Sequence, residues 1–142
     1  MVRLVNRVTQ LMIRYNIGPR YYYLLTVRGR KSGQPYSTPV ALVEEGHRRW
    51  LVAPYGEVGW VKNARAAGEV RLSRGGKTET VAIHALSPQE SAPILKEYIQ
   101  LEGIVQPYFN ARPDSPLEVF AAEAPRHPVF RIEARSPEQQ NG

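Results

Sequence analysis

The sequence predicts a mainly β domain of the α+β class, a small barrel with short helices packed around it. Three observations carry that expectation. Short runs of alternating apolar residues recur at hairpin spacing along most of the chain. Turns rich in glycine and proline punctuate them. Two or three short helical stretches lie between the runs, as in a small barrel with helices packed around it. At 142 residues the chain fits one domain with a sizeable core. That domain is expected over residues 1–135. The polar tail 136–142 is expected to be disordered.

The elements read as follows. Leu4, Val8, Leu11, Met12 and Tyr15 share one face of a helix over residues 3–15, which Gly18-Pro19 ends. A strand is predicted from Tyr22 to Val27. Arg28 to Pro35 breaks it as a tight basic turn. Tyr36 to Val43 resumes as a strand, and Pro39 within it signals an edge or a bulge. Glu45-Gly46-His47 is a hairpin turn, Arg49 to Ala53 a third strand, and Pro54 to Gly59 a loop. Trp60 to Ala67 forms a short helix closed by Gly68 as its C-cap. Val70 to Ser73 and Thr78 to Leu86 flank the hairpin turn Arg74-Gly75-Gly76-Lys77. Val81, Ile83 and Ala85 share one face of the second of these strands. Ser87-Pro88-Gln89-Glu90 starts a helix that runs to Glu102: Ser as N-cap, Pro at N1, Glu at N3. Pro107, Pro113 and Pro116 punctuate a mixed segment, 103–125. Val129 to Glu133 is the last strand. The chain has no internal repeat.

Composition narrows the chemistry. The sequence contains no cysteine, which excludes disulfides, zinc thiolates and a cysteine nucleophile. No apolar run approaches the roughly 18–20 residues of a membrane span. Arg3, Arg7 and Arg14 interrupt the N-terminal apolar residues, so no secretory signal is read there and a cytoplasmic location is expected. The formal net charge is +6, and Asp114 is the only aspartate. Such a balance suits an anionic ligand, an anionic membrane face or nucleic acid, and equally a basic protein without a special partner.

Built-in catalytic sets are scarce. His47, His84 and His127 lie in no metal-ligand spacing and each reads as a surface residue; no metal site is expected. No serine sits in a G-x-S-x-G elbow. One aspartate and scattered glutamates make a paired-carboxylate site improbable. An enzyme of this composition would take its chemistry from a cofactor. Two segments suit that. In the turn Arg28-Gly29-Arg30-Lys31-Ser32-Gly33, glycines let the backbone approach an anion, and three cations and a hydroxyl supply donors. The same turn reads equally as a solvated basic hairpin. In Ala53-Pro54-Tyr55-Gly56-Glu57-Val58-Gly59-Trp60-Val61-Lys62-Asn63, a strand ends in a glycine-containing loop that opens a helix with free N–H groups. Those donors suit the edge of a heteroaromatic ring. Trp60 packs beside such a ring or plugs the barrel end. Tyrosines at Tyr21–Tyr23 and Tyr108, beside Phe109, suit a pocket for flat substrates.

The run Leu25-Thr26-Val27-Arg28-Gly29-Arg30-Lys31-Ser32-Gly33-Gln34-Pro35, followed by Thr38-Pro39-Val40, resembles the T-x-G-R-K-[ST]-G-x-P…P-[LV] signature of the deazaflavin (F420)-dependent nitroreductase and quinone reductase family. Val52-Ala53, the loop, and Trp60-Val61-Lys62-Asn63 resemble that family's aromatic-x-x-Asn helix. The resemblance covers residues 20–86, with weaker agreement to 133. The sequence departs from the pattern at Tyr36, where an arginine is common, and at Val58-Gly59, where Asn-Pro is.

The resemblance implies a split β-barrel, similar to FMN-binding proteins, that binds coenzyme F420. It places the phosphate and polyglutamate tail on Arg28, Arg30, Lys31 and Ser32, with Gly33, Thr38 and Pro39 in the same motif. It places the deazaflavin ring on Ala53, Pro54, Tyr55, Gly56, Gly59 and Trp60, with Asn63 bracing the helix start. Hydride from the ring's C5 would pass to a quinone, a nitroaromatic or another activated acceptor. Tyr23 and Tyr108 are the candidate proton donors or acceptor-positioning residues. The family's N-terminal helix can approach membranes, and residues 3–15 fit that. FMN is the runner-up cofactor; the extended basic set, with Arg65 near it, favours the longer anion. A non-catalytic lipid or small-molecule carrier and a basic nucleic-acid-binding barrel are the alternatives from other classes. Monomer and homodimer both stay open.

Overall fold

The computed structural model describes residues 20–135. The helix expected over 3–15 and the tail 136–142 lie outside the described residues. Six strands form a closed antiparallel barrel: β1 (Tyr22–Arg28), β2 (Pro35–Glu45), β3 (Arg48–Val52), β4 (Glu69–Arg74), β5 (Lys77–Ala85) and β6 (Val129–Ala134). Their order around the barrel is β1-β2-β3-β6-β5-β4, and β4 pairs back onto β1. Among the described residues three α-helices accompany them: α1 (Gly59–Ala67), α2 (Pro88–Leu101) and α3 (Leu117–Glu123). Two 3-10 turns, 103–108 and 124–126, flank α3.

The strand alternation sorts the apolar residues into two clusters on the two faces of one sheet. Leu25, Leu42, Leu51, Leu72, Val81 and Phe130 point into the barrel. Val43, Trp50, Val52 and Val129 point outward and meet Leu95, Ile99 and Phe120 of α2 and α3. The runs Val40–Val43 and Trp50–Ala53 therefore read as continuous apolar stretches, because these strands are buried on both faces. Val81 and Ile83 are buried as expected, whereas Ala85 is exposed. It is the last residue of β5, where the chain leaves the barrel for α2.

Local chemistry sets the boundaries. Gly46-His47 closes the β2–β3 hairpin and Gly75-Gly76 the β4–β5 hairpin. Gly68 ends α1 at φ +75, and its N–H bonds the Ala64 carbonyl at 2.8 Å. At the start of α2 the Ser87 hydroxyl accepts the Glu90 N–H at 3.2 Å, and the Glu90 carboxylate accepts the Ser87 N–H at 3.0 Å. That is the reciprocal capping box expected from Ser-Pro-Gln-Glu.

Two features open the barrel at one end. β1 pairs β2 over residues 35–41, while β3 pairs β2 only over 42–45. Beyond the end of β3, one side of β2 is therefore unpaired. Leu42 N–H bonds the Tyr21 carbonyl and Gly29 N–H bonds the Gln34 carbonyl. In an antiparallel ladder such bonded pairs alternate, so Pro39, opposite Leu24, sits at a non-bonded pair. Its missing N–H falls on the open side, which is why a proline is tolerated there. At the same end α1 packs onto β1 and β4 and inserts Val61 and Ala64, both fully buried, into the inner cluster. Trp60 and Tyr23 both pack against that cluster. They do so from opposite ends, since Tyr23 is the second residue of β1 and α1 lies where β1 finishes.

Candidate functional site

The basic turn is built on a close approach. Gly29 N–H bonds the Gln34 carbonyl at 2.7 Å, and Gly33 N–H bonds the Gly29 carbonyl at 2.9 Å. A β-carbon at Gly29 would lie 2.7 Å from both Ser32 Oγ and Tyr36 Cε2, closer than real contacts allow. Ser32 Oγ accepts the Gln34 N–H at 3.1 Å and exchanges a hydrogen bond with the Tyr36 hydroxyl at 3.2 Å. Asn63 then ties the turn to α1. Its Oδ1 accepts the Arg30 backbone N–H at 3.1 Å and Arg30 Nη1 at 2.7 Å. Asn63, expected to brace the helix start, thus also holds the turn through its side-chain oxygen.

Turn, β2 edge and helix enclose a groove of about 420 Å³. Arg30, Lys31, Ser32 and Thr38 line it with Gly59, Trp60 and Asn63, and Gly29, Tyr36 and Ser37 complete it. Among the described residues, neither Arg30 nor Lys31 is paired with a carboxylate. Val58 caps α1 with no side-chain hydrogen bond, and the first turn carries no acid. The leading N–H groups of the helix are therefore left for a ligand or water, with the positive end of the helix dipole behind them. A β-carbon at Gly59 would meet nothing within 4 Å, so packing within the chain does not require glycine there. Cations, a hydroxyl, an uncapped helix terminus and a half-buried indole together suit a flat aromatic ligand that carries an anionic extension.

The other candidates do not line this groove. Arg28 and Gly33 line a separate groove with Arg71, Glu69 and Thr80 on the β1–β4 side, away from Arg30 and Lys31. Pro39 lies on the open edge of β2. Ala53 is buried, and Pro54 offers its carbonyl to His127. The φ of +88 at Gly56 lets the loop turn beside the Arg126 carbonyl. Arg65, expected near the basic set, is turned away: Glu57 holds it through contacts of 2.6–3.1 Å, and it lies 4.9 Å over the Phe130 ring.

Tyr23 lines a groove of about 720 Å³ at the other mouth of the barrel. Its hydroxyl reaches Glu44 at 3.4 Å, and burial and the Glu44 charge raise its pKa. Two cations beside it are engaged: Arg49 pairs with Glu79, and Arg74 donates to the Tyr22 carbonyl at 2.7 Å. Tyr108 packs edge-on against Tyr55 with centroids 4.7 Å apart, and both rings are more than half exposed. Beneath them the Tyr22 hydroxyl donates to Glu102 at 2.7 Å. Burial and this carboxylate hold Tyr22 well above the usual phenol range.

His127, expected at the surface from its sequence, is instead only 3% exposed. Its partners, the Pro54 carbonyl and Glu123, are one 73 residues away and one on the preceding turn. The Glu-x-x-x-His spacing was the only signal in the sequence. Tyr36 and Ser37 were also missed as lining residues; their place follows from the open edge of β2.

Among the described residues no cluster of His, Asp and Glu is arranged to hold a metal ion, and no helix is long and apolar enough to cross a membrane. A family model described as F420H(2)-dependent quinone reductase matches residues 3–124. None of the curated protein sequences matches this chain. Solved structures share its fold. A protein of unknown function from Agrobacterium tumefaciens superposes with a TM-score of 0.59 at 17% identity over 92% of this chain and 53% of its own, so this chain spans about half its length. A structure described as an F420-H2 dependent reductase, FDR-A, superposes with a TM-score of 0.55 at 23% identity over 80% of this chain and 95% of its own. An FAD-binding protein from Mesorhizobium loti gives 0.52 at 12% identity over 91% and 89%. The expected split barrel, similar to flavin-binding proteins, is the observed architecture.

Proposed function

The chain belongs to the F420H(2)-dependent quinone reductase family, and from that premise we propose that it uses reduced coenzyme F420 to reduce a quinone or nitroaromatic acceptor. The observation that carries this reading is the groove in which Arg30, Lys31 and Ser32 face Trp60 and the uncapped start of α1. The coenzyme is a flat deazaflavin ring with a phosphate and a polyglutamate tail. Its anionic part fits cations that no carboxylate neutralises, and its ring fits an indole beside a glycine that leaves open space.

In this reading Arg30, Lys31 and Ser32 hold the phosphate and tail, and Gly59 and Trp60 line the ring, presented to it by the loop that runs from Ala53. Asn63 keeps Arg30 in place. When bound, the reduced ring supplies a hydride from C5. The protein's own part is to fix the acceptor against that face and to provide a proton. Tyr108 and Tyr55 are the side chains we assign to the acceptor, because their paired rings flank the loop that carries the ring-binding residues. Burial raises the Tyr55 pKa, so its hydroxyl stays protonated at neutral pH. Arg28, expected at the tail, and Tyr23, expected at the acceptor, face other grooves and take no part in this reading. Quinone is the favoured physiological acceptor.

The reading is tested by titrating purified protein with oxidised F420, followed by coenzyme fluorescence, with FMN in parallel. Tight F420 binding with weak FMN binding is the expected result. Preference for FMN would move the protein to the flavin-binding side of the fold. Binding of neither would leave a carrier or a nucleic-acid-binding barrel.

A further inference from the structure

The chain between α3 and β6 carries a buried polar line that the proposed chemistry does not use. The His127 ring lies with Nδ1 2.8 Å from the Pro54 carbonyl and Nε2 2.8 Å from Glu123 Oε1. A carbonyl oxygen only accepts, so Nδ1 carries a proton and the ring has one orientation. Phe109 stacks on the imidazole, with centroids 3.8 Å apart and planes 9° from parallel. Glu123, 2% exposed, also accepts the Asn110 N–H at 3.1 Å and the Ala111 N–H at 2.7 Å. One continuous chain of contacts thus joins Pro54, His127, Glu123 and the backbone of 110–111.

Burying an imidazole and a carboxylate is costly unless both are paired, and a paired set adds little stability over apolar packing. What the polar pair supplies is direction. It fixes where the Pro54 carbonyl points, at the first turn of the loop that leads to Gly59 and Trp60. The same pair anchors the segment just after Tyr108, whose ring meets Tyr55 of that loop at the surface. We propose that His127 is a positioning residue. It holds the Ala53–Gly59 loop in a single conformation, so that the loop and the start of α1 meet the cofactor ring without reorganising, and it couples that loop to the Tyr108 segment. The proposal rests on reading this loop as the ring's cradle.

Two substitutions separate orientation from packing. In His127→Gln the side-chain amide can reach the Nε2 position, so the contact with Glu123 is kept and Pro54 loses its donor. In His127→Asn the amide takes the Nδ1 position, so Pro54 keeps its donor and the contact with Glu123 is lost. The readouts are hydrogen exchange of residues 53–60 in the full chain without cofactor, F420 affinity and the thermal midpoint.

For His127→Gln, loop exchange is expected to rise and F420 affinity to fall by about tenfold, the worth of one such hydrogen bond. Exchange of the barrel strands should stay as in wild type. His127→Asn is expected to keep wild-type loop exchange and affinity but to melt lower. Wild-type loop exchange in His127→Gln would overturn the proposal. So would equal loosening of the loop in both variants, which marks a purely structural residue. If His127→Asn does not fold, His127→Gln against wild type still decides the matter. If wild type does not bind F420, the proposed function fails, whereas the exchange measurement still reports on His127.

Discussion

Asn63 Oδ1 accepts two hydrogen bonds from Arg30, one of them from a charged guanidinium, while Lys31 next to it stands exposed in the same groove. The two residues should therefore fail differently. Lys31→Ala removes charge without disturbing packing, so it should weaken F420 binding and leave the thermal melt unchanged. Asn63→Ala removes a nine-tenths buried acceptor. It should cost about 1.5–3 kcal/mol of stability, as hydrogen bonds to charged groups do, and weaken binding as well. Paired titrations and melts check this; a lowered melting point for Lys31→Ala would refute its assignment to ligand alone. At this scale the sequence singled out both residues but not their relation. Asn63 was legible as part of an aromatic-x-x-Asn helix; that it grips a turn 33 residues away was not.

The start of α2 shows how far a single element can be read locally. Ser87, Pro88 and Glu90 lie within one turn, so their mutual hydrogen bonds need no tertiary information. The backbone N–H of Ser87, then its hydroxyl, lower the pKa of the Glu90 carboxylate. A depressed carboxylate stabilises the fold above its unfolded pKa and stops doing so as pH falls through the folded value. The Glu90 contribution should therefore be present at neutral pH and vanish in the acid range below about 4.3. Glu90→Gln should flatten that part of the stability–pH curve, measured by denaturant melts across it. Ser87→Ala should cost about 1 kcal/mol at neutral pH, the usual worth of such a cap. The loop Ala53–Val58 is the opposite case. Its composition marks a loop, yet its conformation depends on Pro128, His127 and Arg126, which arrive from the far end of the chain.

For the whole molecule, the two apolar clusters share strands. Leu51 points into the barrel and its neighbours Trp50 and Val52 point out toward α2 and α3. Neither cluster can be lost while the other keeps its strands in register. Leu51→Ala should cost about 2–5 kcal/mol and Phe120→Ala about 3–5 kcal/mol. Each should lower one common transition rather than expose an intermediate. Circular dichroism and tryptophan fluorescence, followed through the same urea melt, should give coincident midpoints in both variants. Separate midpoints would show that the helical layer unfolds on its own.

The six strands, the capping box at Ser87, the Gly68 stop and the turn glycines were legible in the sequence alone, because alternation, capping and turn chemistry act over a few residues. So was the choice of a cofactor over built-in catalytic side chains. The tertiary structure decided which of the nominated residues meet. It set Arg30 and Lys31 opposite Trp60, turned Arg28 to another face, paired Arg65 with Glu57, carried Tyr23 to the far mouth, and buried His127 between Pro54 and Glu123. Neighbouring residues on a strand point to opposite faces. Barrel closure then fixes what each face meets, and that depends on pairings between segments tens of residues apart, which no local pattern records.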